Sequence, residues 1–227
     1  MLALAGIVLF AALGAWQVRR GHEKAALFAA FADAFAQAPV TLARARDEAG
    51  SGRYPRVALE GRYDPLHAYV LDDQRRDGRA GVMLYDVFEP AAGGPALLAN
   101  RGFLARDGAG HVPPVPPPPS GPQHVDALYA PPPGIGIRLG GNALSRQSAW
   151  PKTTIYLDPA EVAADLGRPL DAHVLLLAPA AGSGFVREWT PDVFPPQRHY
   201  AYAFTWFTFV AVVLATFAGL HWRKEPA

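Results

Sequence analysis

Cysteine is absent from the 227 residues, which excludes disulfides, cysteine-bound zinc, iron–sulfur clusters and thiol nucleophiles together. A surplus of charge is equally lacking. Twenty-one basic residues stand against 20 acidic ones, a formal net charge of +1, so no global field points to nucleic acid, which is set aside as a partner. GxSxG, HExxH, Walker A and GxGxxG motifs are also missing. Gly134-Ile135-Gly136 lacks both the third glycine and the strand–turn–helix setting. The length bounds what remains: one compact domain of ordinary size plus two membrane helices, but not two large domains.

Hydrophobicity is concentrated at the two ends. Tyr200 to Leu220 carries no charge and spans about 31 Å at a helical rise of roughly 1.5 Å per residue, enough for a hydrocarbon core of about 30 Å. Tyr200, Tyr202 and Trp206 crowd one end, and His221, Trp222, Arg223 and Lys224 close the other, as aromatic belts and a basic stop do. The first apolar segment, Met1 to Val18, is followed by Arg19 and Arg20. A secretory signal needs its basic region before the apolar stretch and a twin-arginine signal needs it earlier, so an uncleaved anchor is expected. The expected organisation is a first transmembrane helix over 1–18, a β-rich extracytoplasmic domain over 19–198, a second transmembrane helix over 199–221 and a cytoplasmic tail over 222–227. Two spans put both termini on one side. Basic residues flank both sides, so charge does not set the orientation.

Helical spacing of Leu27, Phe28, Phe31 and Phe35 extends from Gly21 to Gln37 and ends before Pro39. Beyond it, Arg53–Tyr63, Ala68–Leu71, Val82–Phe88, Ala96–Phe103, His124–Tyr129, Gly136–Leu139, Lys152–Leu157 and Ala172–Leu177 read as strands. Asp64-Pro65, Arg76-Asp77-Gly78 and Gly93-Gly94-Pro95 separate the first four. Such short connections favour antiparallel pairing, so the domain is expected to be an antiparallel sheet or small barrel. Six prolines in Val112–Pro119 bar that stretch from a central strand and make it an extended loop, with a PxxP docking ligand as the alternative. Asp158-Pro159-Ala160-Glu161 carries an N-cap, a proline at the first helical position and an acid at the third, opening a helix to Leu166. The predicted class is therefore a membrane protein with two transmembrane helices flanking a β-rich α+β domain.

Within that domain little suggests catalysis. Asp72, Asp73 and Asp77 cluster, but Gly78 and the intervening Arg75 and Arg76 fit a solvated hairpin better than an acid–base pair. His22, His67, His111, His124 and His173 match no metal-site spacing, and Ser183 lies between glycines with no recognisable base. His199 is different, because it stands at the mouth of the second span. On a helix it shares a stripe with Ala203 or Tyr202, Trp206, and Val210 or Phe209. Its imidazole could reach a metal or porphyrin iron, or could simply be an interfacial residue hydrogen-bonded to headgroups or water. His221 lies about 33 Å further along the helix by the same rise and cannot share one iron with it within one chain. Trp16, Gln17 and Arg20 are candidates for the facing wall, with Arg20 able to pair with an acidic group or to snorkel to the interface.

Leu13-Gly14-Ala15-Trp16-Gln17-Val18-Arg19-Arg20, followed by Lys24, resembles the end of the first membrane helix in the Surfeit locus protein 1 family. Arg53-Tyr54 with Val57, Gly61-Arg62-Tyr63, Asp77-Gly78-Arg79, Gly81 and Asn100-Arg101-Gly102-Phe103 follow in that family's order. His199 with Tyr202-Ala203 and Thr205-Trp206 is similar to the signature that opens its second helix, although Gln197-Arg198 replaces the acidic or asparagine residue often found before the histidine. The resemblance implies an assembly factor for a haem–copper terminal oxidase, not an enzyme, that binds haem a and helps deliver it to, or stabilise it in, the catalytic subunit. It implies His199 as axial ligand to the haem iron; Tyr202 and Trp206 on the same stripe, and Trp16 and Arg20 on the facing wall, are the residues expected around the cofactor. The implied partners are the oxidase catalytic subunit, haem a synthase and membrane lipid. A scaffold that steadies an assembly intermediate without haem is the alternative. Because almost nothing precedes the first span, no mitochondrial presequence is expected, and a bacterial inner membrane with the domain in the periplasm is the expected location.

Overall fold

A computed structural model describes residues 1–49, 53–134 and 141–222. The chain divides into two compact units, a helical one made of Met1–Ala30 with Pro191–Ala227 and a sheet unit, Phe31–Thr190. The helical unit holds α1 (Leu2–Ala32) and α4 (Pro196–Trp222). Only 6% of the apolar window of each helix is buried, and both are long and apolar enough to cross a membrane. A core helix of a soluble protein would be mostly covered, so this outward apolar surface identifies a membrane protein. The sequence marks Arg223 and Lys224, which lie outside the described residues.

The sheet unit contains α2 (Leu42–Glu48), β1 (Arg56–Arg76), β2 (Arg79–Pro90), β3 (Ala96–Ala105), β4 (Gln123–Ala130), β5 (Lys152–Thr154), α3 (Pro159–Leu166) and β6 (Leu170–Leu177). Strand order is β2-β3-β6-β4-β1-β5, with β1 also paired to β2. The β1–β2, β2–β3, β1–β4 and β4–β6 ladders are antiparallel, whereas β3–β6 and β1–β5 are parallel. The sheet is therefore mixed, neither the purely antiparallel sheet nor the small antiparallel barrel that short connections suggested. Those connections governed only β1 to β3. More than sixty residues separate β3 from β6, ample for a parallel crossover.

Asp64-Pro65 does not end a strand. The register of β1 against β2 jumps between Tyr63 and Ala68, and Asp64 Oδ1 accepts the backbone N–H groups of Leu66 (2.9 Å) and His67 (3.2 Å). With these donors satisfied, the chain bulges and rejoins the same partner, so two expected strands are one. α2, unforeseen in the sequence, is capped by Thr41, whose side chain accepts from Arg44 N–H. α3 forms as expected, with Asp158 capping Ala160 N–H and Gly167 closing it at φ +65°. The expected strand Gly136–Leu139 lies outside the described residues.

Alternation sends successive residues to opposite faces. Ala96 and Leu98 of β3 pack with Tyr69, Leu71, Tyr85, Val87, Val174 and Val162 of α3. Leu97 and Ala99 pack with Val57, Phe88, Val125, Ala127, Leu175 and Ala45 of α2. A strand covered on both faces reads as continuous apolar sequence, which explains Ala96-Leu97-Leu98-Ala99.

Candidate functional site in the helix pair

α1 and α4 run antiparallel, and small residues set their approach. Gly14, Gln17 and Gly21 share one face of α1 at helical spacing. A Cβ added at Gly14 would sit 2.7 Å from the Phe207 ring, and one at Gly21 would strike the Tyr200 ring. Opposite them, Ala203 is 3% exposed. Phe10 stacks on Trp206 with ring centroids 5.7 Å apart and lies 5.5 Å from Phe209, while His22 meets Tyr200 edge-on at 5.8 Å. Lipid tails compete poorly for so close a contact, the usual basis of helix association in a bilayer.

His199 projects into this seam. Its Nδ1 lies 2.8 Å from Gln17 Oε1. Its Nε2 is buried and is, among the described residues, the one buried side-chain nitrogen or oxygen without a hydrogen-bond partner. A buried polar atom left unpaired is costly, and an imidazole nitrogen in that state is free to bind a metal.

The structure gathers some of the residues singled out by sequence and separates others. His199, Ala203 and Trp206 share the seam, as does Gln17. Tyr202 is 57% exposed and Trp16 46%, each turned away from it. Arg20 donates to Glu23 on its own helix at 2.7 Å. The sequence alone places Gln17 only on a facing wall. Its pairing with His199 joins residues 182 apart, although its spacing between Gly14 and Gly21 was readable.

The sheet unit uses its polar residues on one another. His67 Nδ1 lies 2.7 Å from Asp64 Oδ2, His173 stacks on Tyr129, and His124 is exposed. Asp72 accepts from Arg106 at 2.5 Å, and Ser183 Oγ donates to Phe185 O. Asp77 enters a tight turn with Gly78 at positive φ. Among the described residues no three His, Asp or Glu side chains gather to hold a metal. Arg101 reads in the sequence as a strand end with an anchoring ion pair. The ion pair is present, to Asp86 at 3.2 Å, with a second bond to Pro116 O at 2.7 Å, but the residue lies within β3 rather than at its end. Burial pushes the Asp86 carboxyl up to about 6 despite the opposing pull of Arg101.

These features define a two-helix membrane protein with a small mixed-sheet domain and one unpaired imidazole nitrogen between its helices. The chain belongs to the SURF1 family, whose model matches residues 4–211. No curated protein matches it. The SURF1 family is an assembly-factor family linked to cytochrome oxidase assembly.

Proposed function

We propose that this chain is a non-enzymatic assembly factor for a haem–copper terminal oxidase, and that it holds haem a through His199 while assisting its delivery to, or stabilisation in, the catalytic subunit. Family membership supports the oxidase setting. The observation that carries the haem role is the buried, unpartnered Nε2 of His199. The donor set fits one bond to the iron: an imidazole with an unpartnered nitrogen, followed by Ala203 and Trp206 one and two turns along the same face of α4. When bound, haem a supplies the iron centre at which the oxidase transfers electrons and reduces oxygen.

This chain's residues have three tasks. His199 offers Nε2, and because that atom is sealed, α1 and α4 must part or their side chains shift before it can reach iron. Arg20, already at hydrogen-bond distance from Glu23, would exchange that carboxylate for a propionate by charge-assisted bonds. Trp16 and Tyr202, turned outward, would bear on a macrocycle edge only from the lipid side of each helix. The expected setting is a bacterial inner membrane, with the sheet domain in the periplasm and with the oxidase catalytic subunit and haem a synthase as partners.

Protein co-expressed with haem a synthesis and purified in detergent should show a Soret band that His199→Ala loses. An unchanged band would remove His199 from the axial position. The sealing of Nε2 favours a second reading, a scaffold that steadies the immature subunit without haem. That reading gains if the wild type shows no Soret band yet the oxidase lacks cofactor in its absence.

A further inference from the structure

We infer that Gln17 is a positioning residue: its side-chain carbonyl fixes the His199 proton on Nδ1 and so keeps Nε2 as a lone-pair donor. The inference rests on the haem reading for its purpose, but the tautomer it specifies can be observed without haem.

Two observations carry it. Gln17 Oε1 and His199 Nδ1 are 2.8 Å apart, and Nε2 is buried without a partner. A carbonyl oxygen only accepts, so the proton between them belongs to Nδ1. Turning the amide over would make its NH2 donate to Nδ1 and leave the imidazole proton on Nε2 as a buried donor without an acceptor. Orphaned buried N–H groups are rarer than under-satisfied acceptors, so the first arrangement prevails. The flanking contacts hold it in place: Gly14 against Phe207 and Gly21 against Tyr200 fix the helix separation on either side of Gln17.

A hydrogen bond between helices can serve merely as glue, and such a bond would hold the same proton on Nδ1. The consequence particular to positioning is electronic. An acceptor on the far nitrogen orients a ligating imidazole and raises its basicity. A carboxylate at position 17 should strengthen that effect, and an aliphatic side chain should abolish it.

The test uses the full chain in detergent with 15N-labelled histidine. The chain has seven histidines, and His199→Ala identifies the signal to follow. Wild-type apoprotein should show His199 as a single neutral tautomer with Nε2 unprotonated. Gln17→Leu should lose that preference, and Gln17→Glu should keep it. A wild-type proton on Nε2, or an unchanged tautomer in Gln17→Leu, overturns the assignment. In haem-loaded protein, at equal haem content, the midpoint potential should shift negative in Gln17→Glu and positive in Gln17→Leu. Identical potentials would overturn the electronic role. Should His199→Ala keep its Soret band, the haem reading fails alone, because the apoprotein spectra still decide what Gln17 does.

Discussion

Arg101 of β3 reaches Asp86 of the neighbouring β2 at 3.2 Å, with Asp86 1% exposed and Arg101 9%. The same guanidinium nitrogen donates to Pro116 O in the proline-rich segment, and the guanidinium carbon lies 4.7 Å from the centre of the Phe185 ring. One cation therefore neutralises a carboxylate inside the sheet unit and ties down a loop that has few backbone donors of its own.

Removing that cation should cost far more than a surface ion pair. Arg101→Ala strands the Asp86 carboxylate in the interior, and breaking a buried pair typically costs about 3–5 kcal/mol. Denaturant unfolding of the full chain in detergent should show this loss, together with faster proteolysis near Pro116. A change below about 1 kcal/mol, the size of an exposed pair, would contradict the buried pairing.

The Asp86 carboxyl also gives a pH signature. Its folded-state value is pushed up to about 6 from 3.8, burial being the main cause. The native state therefore binds this proton more tightly than the unfolded chain. The associated stability is fully present below pH 3.8 and lost as pH rises through about 6. Asp86→Asn removes the titration, so wild type minus variant should gain stability between pH 7 and pH 4, by on the order of 3 kcal/mol at 1.36 kcal/mol per unit. A flat difference across that range would refute it.

Between α1 and α4 the glycines should be intolerant of bulk. Gly14→Leu and Gly21→Leu push against Phe207 and Tyr200, and overpacking typically costs about 1–3 kcal/mol. Disulfide trapping between engineered cysteines on the two helices, in a chain with none of its own, should report slower cross-linking in both variants. Phe207→Ala should restore it for Gly14→Leu. Failure of that rescue would mean the contact is not the obstacle.

Gly102 provides a separate check on the sheet unit. Its φ of +123° lies where L side chains are strained, and a Cβ there would sit 2.8 Å from Val186 O. Its N–H donates to the Asn100 side chain at 2.9 Å. Gly102→Ala should lower stability by at least about 1–3 kcal/mol from the backbone alone, visible as a lower thermal midpoint. Asn100→Ala should do so by a smaller amount.

What was legible in the sequence was local. The apolar ends, the Asp158 cap and the strands from Val82 to Phe103 follow from composition and periodicity, which act over a few residues. The parallel β3–β6 ladder was not legible, because the partner of a strand is chosen by packing across the chain. The break at Asp64-Pro65 misled for the opposite reason, since a turn signature also serves a bulge when Asp64 satisfies the freed N–H groups. In the helix pair, periodicity placed His199, Ala203 and Trp206 on one stripe. It could not say that Trp16 and Tyr202 turn away, because the rotation of one helix against another depends on where the glycines of α1 allow contact.

The position of β6 dictates a sequence of events during synthesis. It is the last strand made, yet it lies between β3 and β4 and pairs with both. Until Leu177 has emerged, β3 and β4 each present an apolar strand with a bare edge, the kind of surface that recruits other chains. The domain therefore cannot close from its beginning, and its most exposed interval falls just before the last helix, α4, is made.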